Sequence, residues 1–349
     1  MPDSPLHTVT ARHGAVTGPL GAPSSFGDPQ AEYAAARGAA AVRDASHLGL
    51  LRVGGADHLD FLHRMSTNHF RNAAVGEGLE AVLPDSRGRI LELGAFYRLE
   101  AETTFAVLGP GGQSETPAWL DRYLFSERVE FAADGGTALI ELSGPQAGTA
   151  LQAACGIALE GAADLARAGS SGGVELWRHD QWGLPGLRAF GPADALGGLW
   201  ESLVGAGAVP LGETAFESLR LEHGQPAKGH ELTDGHTPWE ANLGRTIHMD
   251  KGCYIGQEVI ARLDTYDKTK QYLGGLLLPA GALPDAGTPL TLDGRGAGRL
   301  TSAAYSIGLG RNIGLAYLRR DHVQPGTLLR LGDDGPEAQV VELPLSPPA

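Results

Sequence analysis

Residues 251–258 read Lys251-Gly-Cys-Tyr-Ile-Gly-Gln-Glu258 and are the densest cluster of reactive residue types in this chain of 349 residues. Gly252 and Gly256 permit backbone conformations that other residues avoid, so a ligand can approach the main chain there. Between them lies Cys253, and the ammonium of Lys251 two residues away would favour the thiolate form. The thiol could act as a nucleophile, a soft-metal ligand or a redox-sensitive group, or it could be a small buried hydrophobe. The spacing alone leaves these roles open.

The same stretch carries a family resemblance. Residues 251–258 resemble the K-G-C-[FY]-x-G-Q-E motif of the YgfZ family, the folate-binding relatives of the glycine cleavage T-protein, at every position. Two further stretches are similar to the family pattern, Leu219-Arg-Leu-Glu-His-Gly-Gln-Pro226 and Pro238-Trp-Glu-Ala-Asn-Leu243. Near the N-terminus, Val53-Gly-Gly-Ala-Asp57 is similar to the stretch that opens the family's first domain. The resemblance therefore covers nearly the whole chain from about residue 31.

The resemblance implies an α+β fold, a ring of two interleaved α+β subdomains plus a C-terminal small β-barrel around a folate-sized opening. The residue pattern points the same way, because six short apolar runs separated by Gly, Pro and Asp follow Gln271 and predict a small all-β barrel or sandwich. We therefore expect a flexible N-terminal arm over residues 1–28, a folate-binding α+β region over 29–270 and the barrel over 271–349.

Local patterns predict several elements of the α+β region. His58, Phe61, Leu62 and Met65 follow the i, i+3, i+4, i+7 spacing of one helix face. Residues 79–84 and 89–99 predict a β-hairpin in which Gly88 takes positive φ.

Glu92 lies in the second strand of that predicted hairpin, on the same face as Ile90 and Phe96 because side chains alternate. A carboxylate between apolar neighbours lies either at a sheet edge or in a pocket, and the edge position is the favoured prediction.

The resemblance also assigns site residues. T-proteins carry an Asp-Asp pair after a G-x-I-[IL] run; here the run is Gly88-Arg-Ile-Leu-Glu-Leu93, so Glu92 takes the first acid position and Leu93 the second. A single carboxylate can still act as general acid or base. The expected catalytic residues are thus Cys253, Lys251 and Glu92.

Tetrahydrofolate or a folate derivative is the implied cofactor. Glu240 matches the T-protein carboxylate that binds the pterin, a role that suits two parallel N–H bonds. Phe216 could stack on the ring or simply pack in the core, and Arg220 could be a ligand or a structural ion-pair partner. The implied cofactor-binding set is Glu240, Phe216, Arg220, Asn242 and Gln257. The spacing of the histidines predicts no metal site.

The leading hypothesis from the resemblance is a YgfZ-type protein that supports iron–sulfur cluster assembly or repair in client enzymes, including those that thiolate tRNA, through folate and the thiol of Cys253. One alternative is a tetrahydrofolate-dependent aminomethyltransferase. Another is a noncatalytic folate-sensing adaptor that binds its partner through residues 245–272. Expected partners are folate and iron–sulfur client or assembly proteins, with an indirect link to tRNA modification.

Composition bounds these hypotheses. The net charge of −14 argues against broad binding to DNA or to anionic lipid. Two cysteines cannot build a disulfide framework, and no apolar run is long enough for a membrane span, so a cytoplasmic protein is expected. All four lysines lie between Lys228 and Lys270, which a G- and C-rich genome does not explain; the clustering indicates a site that uses a compact, titratable ammonium.

Overall fold

A computed structural model describes residues 4–345 of the chain. Within this range the α-helices are α1 (His7–Arg12), α2 (Pro29–Gly38), α3 (His58–Met65), α4 (Gly112–Leu120), α5 (Ala147–Cys155), α6 (Ala193–Gly205), α7 (Glu213–Glu222) and α8 (Gln257–Thr265). Short 3-10 helices cover Pro19–Gly21, Asp121–Tyr123, Gly244–Thr246 and Arg320–His322.

The strands of the N-terminal two thirds are β1 (Val16–Thr17), β2 (Pro23–Ser25), β3 (Ala41–Asp44), β4 (Gly49–Gly54), β5 (Gly78–Pro84), β6 (Ile90–Glu100), β7 (Thr103–Leu108), β8 (Glu130–Ala133), β9 (Thr137–Ser143), β10 (Arg167–Ser171), β11 (Val174–Arg178), β12 (Gly186–Pro192) and β13 (Val209–Pro210). Those of the C-terminal part are β14 (Gln271–Leu277), β15 (Pro289–Leu292), β16 (Arg295–Ser306), β17 (Arg311–Arg319), β18 (Leu328–Leu331) and β19 (Glu337–Val341).

Two sheets are interleaved along the chain. One has the order β10-β11-β12-β9-β3-β13 and the other β5-β6-β7-β4-β8. After β3 the chain leaves the first sheet, builds the whole second sheet, and returns to the first at β9. This crossing confirms the predicted α+β class with two interleaved subdomains, because the whole second sheet is inserted between strands β3 and β9 of the first.

The local predictions for this region are confirmed. In α3 the side chains of His58, Phe61, Leu62 and Met65 are all buried on one face. Strands β5 and β6 pair antiparallel as the predicted hairpin, and Gly88 in their turn has φ +71°. These features follow from spacings within a few residues, which is why the sequence pattern captured them.

The C-terminal part is a closed barrel in the order β14-β17-β16-β15-β18-β19. It closes through β14 and β19, where Leu276 pairs with Val340, so no strand edge is left open. Inward side chains such as Leu276, Leu300 and Leu318 are fully buried in its core. The predicted barrel is confirmed.

The predicted flexible arm is not what residues 4–28 form. This segment contains α1 and the β1–β2 pair, and Leu6 is fully buried against the core around Trp200. The part of the prediction that concerns residues 1–3 lies outside the described residues. The sequence pattern did not reveal these elements because α1, β1 and β2 are each too short to give a periodic signal. They are held in place by tertiary contacts.

Candidate active site

A central cavity of about 830 Å³ lies between the two sheets and the segment that leads to the barrel. Its walls come from β6 and β7 of one sheet, β9 and β12 of the other, and helix α7. Ligand pockets for drug-sized molecules span roughly 300–1,000 Å³, so this cavity suits a ligand of folate size. Of the predicted site residues, those that line it are Glu92, Phe216, Arg220 and Asn242.

Glu92 lies in a pocket and not at a sheet edge, which corrects the sequence prediction. Strand β6 is internal to its sheet, between β5 and β7, and the Glu92 side chain is buried. One carboxylate oxygen, Oε1, accepts hydrogen bonds from the backbone N–H groups of Gly109 at 3.1 Å and Leu93 at 3.2 Å. The other, Oε2, accepts from Nζ of Lys228 at 2.8 Å. The carboxylate is thus fixed in the cavity wall by three donors.

The loop Gly109-Pro-Gly-Gly112 makes room for this pair. A Cβ on Gly112 would lie 2.6 Å from Oε2 of Glu92, and a Cβ on Gly109 would lie 2.5 Å from Cβ of Lys228. Both distances are shorter than atoms tolerate, so these two positions need glycine while the ion pair is in place. The loop thus encloses a carboxylate of the chain itself.

Burial and pairing act in opposite directions on Glu92. Burial raises its pKa above the ordinary value, and the neighbouring Lys228 lowers it without cancelling the rise. The pKa of Lys228 is likewise raised: burial lowers it, but its bonds to Glu115 and Glu92 outweigh that effect. A cavity carboxylate whose pKa is raised toward neutrality is suited to proton transfer.

A second set of charged side chains lines the cavity from the other sheet. Glu141 on β9 is directly opposite Arg43 on β3 and Arg188 on β12 in the strand registers. Its two oxygens accept from Nη1 of Arg43 at 2.7 Å and from Nε of Arg188 at 2.9 Å. Burial alone would raise the pKa of Glu141, but the two guanidinium groups hold it well below the ordinary value. Arg43, Glu141 and Arg188 thus form a row of ionised side chains deep in the cavity wall.

Phe216 reaches the cavity as predicted, with one face of its ring already occupied. The guanidinium of Arg43 lies 3.5 Å from the ring centroid, and the ring of Trp182 is 5.7 Å away. A cation over an aromatic face is a favourable contact. Phe216 therefore supports Arg43 and packs against the core cluster around Trp182, which is the core-packing alternative; stacking on a folate ring stays a prediction.

Arg220 is a structural residue and not a free ligand. Its Nε and Nη2 donate to Glu217, its Nη1 to the carbonyl of Gln225 and to Glu231, and its Nη2 also to Ser302 of the barrel. These contacts use all five N–H groups of the guanidinium. The predicted cofactor role is therefore not supported, and the residue ties α7 to the barrel instead.

Asn242 lines the cavity, and Glu240 does not. Asn242 has φ +58°, and its Nδ2 donates to the carbonyl of Leu273 at 2.9 Å. Glu240 is turned into its own loop, where Oε2 accepts from the backbone N–H of Thr237 at 2.8 Å and from Arg89 at 3.4 Å. Because Glu240 is absent from the cavity lining, its predicted contact with a pterin has no support in the structure.

The 251–258 motif lies outside the cavity lining, and Lys251 has a different role from the predicted one. Its buried ammonium donates to the carbonyl oxygens of His63 and Ser66 at the end of α3, the latter at 2.6 Å. Burial, with a smaller effect of Arg71, lowers the pKa of Lys251 to about 7. Lys251 thus closes the C-terminal end of a helix, where a cation is favoured, and its ammonium is committed there and not to Cys253.

The two glycines of the motif serve different needs. Gly256 has φ +75°, and a Cβ there would lie 2.4 Å from the carbonyl oxygen of Asp85, so it allows α8 to dock on the β5–β6 turn. Gly252 has φ +90° with open space around it, and the neighbouring Cys253 is exposed. Gln257 is the first residue of α8 and does not reach the cavity. The motif therefore holds the exposed thiol of Cys253 on a loop that packs against the β5–β6 turn through Gly256.

Sequence reasoning missed Lys228, the loop 109–112 and Arg188. The clustering of lysines was a signal for Lys228, yet its partner Glu92 is 136 positions away in the chain. Within residues 4–345, no group of three or more His, Cys, Asp or Glu side chains is placed to hold a metal ion. None of the helices in that range is both long and apolar enough to cross a membrane.

Comparison with known proteins places the fold in a family. The model of the GCVT N-terminal domain matches residues 6–251, and that of the glycine cleavage T-protein C-terminal barrel domain matches residues 272–346. The chain also resembles the crystal structure of the glycine cleavage system aminomethyltransferase T from Bartonella henselae, with a TM-score of 0.88 and 23% identity over 99% of this chain and 98% of that one. At this identity the likeness concerns the fold alone.

Relatives in sequence carry the same family name. The aminomethyltransferase of Symbiobacterium thermophilum is 30% identical over 98% of this chain and 96% of its own length. That of Streptomyces avermitilis is 31% identical over 87% and 85%, and that of Thermus thermophilus is 33% identical over 82% of each. With both domain models matched in order and across nearly its whole length, the chain belongs to the glycine cleavage T-protein family.

Proposed function

We propose that this protein binds tetrahydrofolate or a folate derivative in the central cavity and transfers a one-carbon group, as an aminomethyltransferase, with Glu92 as general acid and base. The observation that carries the proposal is the carboxylate of Glu92, buried in the cavity wall and held by Lys228 at 2.8 Å. The names of the sequence relatives support the reaction class. The size of the cavity, about 830 Å³, supports the ligand.

The transfer of a one-carbon group to a folate requires a side chain that takes up protons and gives them back. A folate accepts a one-carbon unit through its nitrogen atoms, and each nitrogen that forms a new bond to carbon releases a proton. The two new N–C bonds release two protons, and the two bonds that break, from carbon to the lipoyl sulfur and from carbon to the amine, take up one proton each. Glu92 in its ionised form can take a proton from a folate nitrogen, and in its protonated form can give one to the leaving amine. Because burial raises its pKa, the carboxylate takes up a proton more readily than an exposed glutamate, and a larger share of it is in the protonated form that can serve as general acid.

The role of Glu92 is tested by incubating the protein with tetrahydrofolate and an aminomethylated lipoyl carrier, and measuring methylenetetrahydrofolate. Glu92→Gln should slow the reaction by about 10²–10⁴-fold, the usual contribution of a positioned acid or base. Glu100→Gln is the matched control, since Glu100 ends the same strand at an exposed position. A wild-type protein without product would refute the transferase function, and an unimpaired Glu92→Gln would refute the residue's role.

A second candidate function rests on the exposed thiol of Cys253. With this function the protein would support iron–sulfur enzymes, as the resemblance to the YgfZ family implies. Folate would bind in the cavity, and the thiol would react at a separate place on the surface. The accessibility of Cys253 is what favours it, because a thiol must be reachable to meet a client protein. Cys253 is not among the residues that line the cavity, so the two functions would use separate sites.

The second candidate is tested in a strain that lacks this protein. Cys253→Ala should fail to restore the activity of an iron–sulfur enzyme, whereas Cys155→Ala, which removes the half-buried thiol at the end of α5, should restore it. Restoration by both variants would rule the thiol function out.

A further inference from the structure

Arg188 presents unused hydrogen-bond donors to the cavity. Its Nε donates to Glu141 at 2.9 Å and its Nη1 makes a long contact of 3.4 Å with the hydroxyl of Tyr97. Among the residues that the structure describes, Nη2 has no hydrogen-bond partner. The side chain is 13% exposed and lines the cavity. We call the side of the guanidinium that carries Nη1 and Nη2 its outer edge. A nearly buried guanidinium with an unpartnered nitrogen on this edge is uncommon, since buried polar groups normally have partners.

The sheet fixes the position of the Arg188 guanidinium. Arg188 is flanked in the strand registers by Glu141 on β9 and Trp177 on β11, and Glu141 is in turn held by Arg43 from β3. Burial opposes the charge of Arg188, but Tyr97 and Glu141 keep its pKa above the ordinary value. The guanidinium is therefore a permanent, oriented cation whose outer edge cannot swing away to the surface.

The same wall holds a second unsatisfied group. His179 lines the cavity, is 8% exposed, and its Nδ1 is buried without a hydrogen-bond partner in the described part of the chain. Burial, aided by the charge of Arg188, lowers the pKa of His179 to about 3, so the ring is neutral at physiological pH. Nδ1 of His179 is sealed inside the wall, so the open group at this end of the cavity is the outer edge of Arg188, which a polar ligand can complete.

The acidic side chains of the cavity are already engaged elsewhere. Glu80 pairs with Arg245 at 3.1 Å, and Asp180 pairs with Arg178 at 2.9 Å. Glu213 pairs with Arg43 at 2.7 Å. Asp164, which also lines the cavity, accepts through Oδ1 from the backbone N–H groups of Leu165 at 3.0 Å and Asp180 at 2.9 Å. None of these four carboxylates is hydrogen-bonded to Arg188, so its outer edge is open to an acceptor from outside the chain.

We propose that the outer edge of Arg188 binds a carboxylate group of a substrate. A planar guanidinium matches a carboxylate through two parallel N–H bonds, and this geometry is specific to arginine. The inference rests on the proposed function for the presence of such a substrate in the cavity. Two sources carry this chemistry, the glutamate tail of a folate and a free small amino acid. Arg188 then selects the substrate and orients it toward Glu92.

Binding measurements with separate probes test the inference. Titration calorimetry of the full chain uses p-aminobenzoyl-L-glutamate, which is the folate tail, N-methylglycine, which is a small amino acid, and 6-hydroxymethylpterin, which lacks a carboxylate. We expect one of the first two probes to bind the wild type and to lose at least tenfold in affinity in Arg188→Lys, which keeps the charge and loses the planar edge. The pterin should bind both proteins equally.

Arg245→Met is the matched control, because Arg245 also lines the cavity but is 58% exposed and paired with Glu80. It should leave the affinity of the carboxylate probe within twofold. A wild type that binds neither carboxylate probe, equal affinities in wild type and Arg188→Lys, or an effect on the pterin alone would each overturn the inference. Tetrahydrofolate is titrated in parallel: a loss of affinity in Arg188→Lys assigns the carboxylate to the folate tail, whereas no binding to the wild type removes the proposed function, whatever the result with the carboxylate probes.

Discussion

Nζ of Lys228 lies 2.8 Å from Oε2 of Glu92 and 2.7 Å from Oε2 of Glu115, so one ammonium joins a carboxylate buried in the cavity wall to a carboxylate at the surface. Glu92 is 2% exposed at its side chain and Glu115 is 69% exposed. The two partners are therefore unequal: water can replace Lys228 at Glu115, but nothing replaces it at Glu92.

The first prediction concerns this asymmetry. Lys228→Met should raise the pKa of Glu92 further, because burial then acts on the carboxylate without a neighbouring cation. If the ionised form is the base, the acidic limb of the pH–rate profile moves to higher pH. The acidic limb is measured from the rate of methylenetetrahydrofolate formation at a series of pH values. The pKa of Glu92 is measured by carbon NMR of labelled glutamate, and a purely structural role of Lys228 would not change the pH dependence of that carboxyl signal.

Glu115→Gln is the control for that variant. Removing an exposed ion-pair partner changes stability by about 0–1 kcal/mol, and the pKa of Glu92 should stay nearly unchanged. A larger effect from Glu115→Gln than from Lys228→Met would contradict the assigned geometry.

The second prediction concerns the loop that encloses the pair. Gly112→Ala should destabilise the protein and displace Glu92, because the new Cβ would lie 2.6 Å from its carboxylate oxygen. The overpacking is expected to cost about 1–3 kcal/mol in the free energy of unfolding. Gly198→Ala is the control, since Gly198 lies within α6 with open space around it, and there alanine should stabilise by about 0.5–1 kcal/mol. Urea denaturation of both variants provides the measurement, and equal effects would argue against a tight fit at Gly112.

The third prediction follows from Lys251. Its pKa is about 7 in the folded chain and near 10.4 when unfolded, so between these values the unfolded state binds more protons. The contribution of this group to stability must then rise as the pH increases from 7 to about 10, and below pH 7 it adds no further change. Urea denaturation at pH 7 and pH 9 should show the gain in the wild type and a smaller one in Lys251→Met. An identical gain in both proteins would show that Lys251 stays fully charged in the folded state.

The fourth prediction compares the two thiols. Cys253 is exposed, whereas Cys155 is half-buried and its Sγ donates to the carbonyl of Leu151 at 3.4 Å. A thiol reagent such as dithionitrobenzoate should label the native protein in a fast and a slow phase. Cys253→Ala should remove the fast phase and Cys155→Ala the slow one. The reverse assignment would mean that the 251–258 loop covers its cysteine.

Local spacing in the sequence determined much of the architecture. The buried face of α3, the hairpin with Gly88 at positive φ, and the strands of the barrel were all predictable, because period and turn chemistry act over a few residues. The resemblance of the 251–258 motif implied a relative of the glycine cleavage T-protein, and the two family models confirm that broader assignment. Glu92 was identified as the one acid at its position, but its environment was predicted wrongly.

Only the tertiary structure decided what surrounds each candidate residue. Glu92 is in a pocket because β6 is internal to its sheet and Lys228 reaches it across 136 positions of chain. Lys251 turns to α3, where its partner Ser66 is 185 positions away, and so away from its predicted role. The sequence by itself specified which side chains can carry chemistry; their partners are set by long-range packing, which no spacing along the chain encodes.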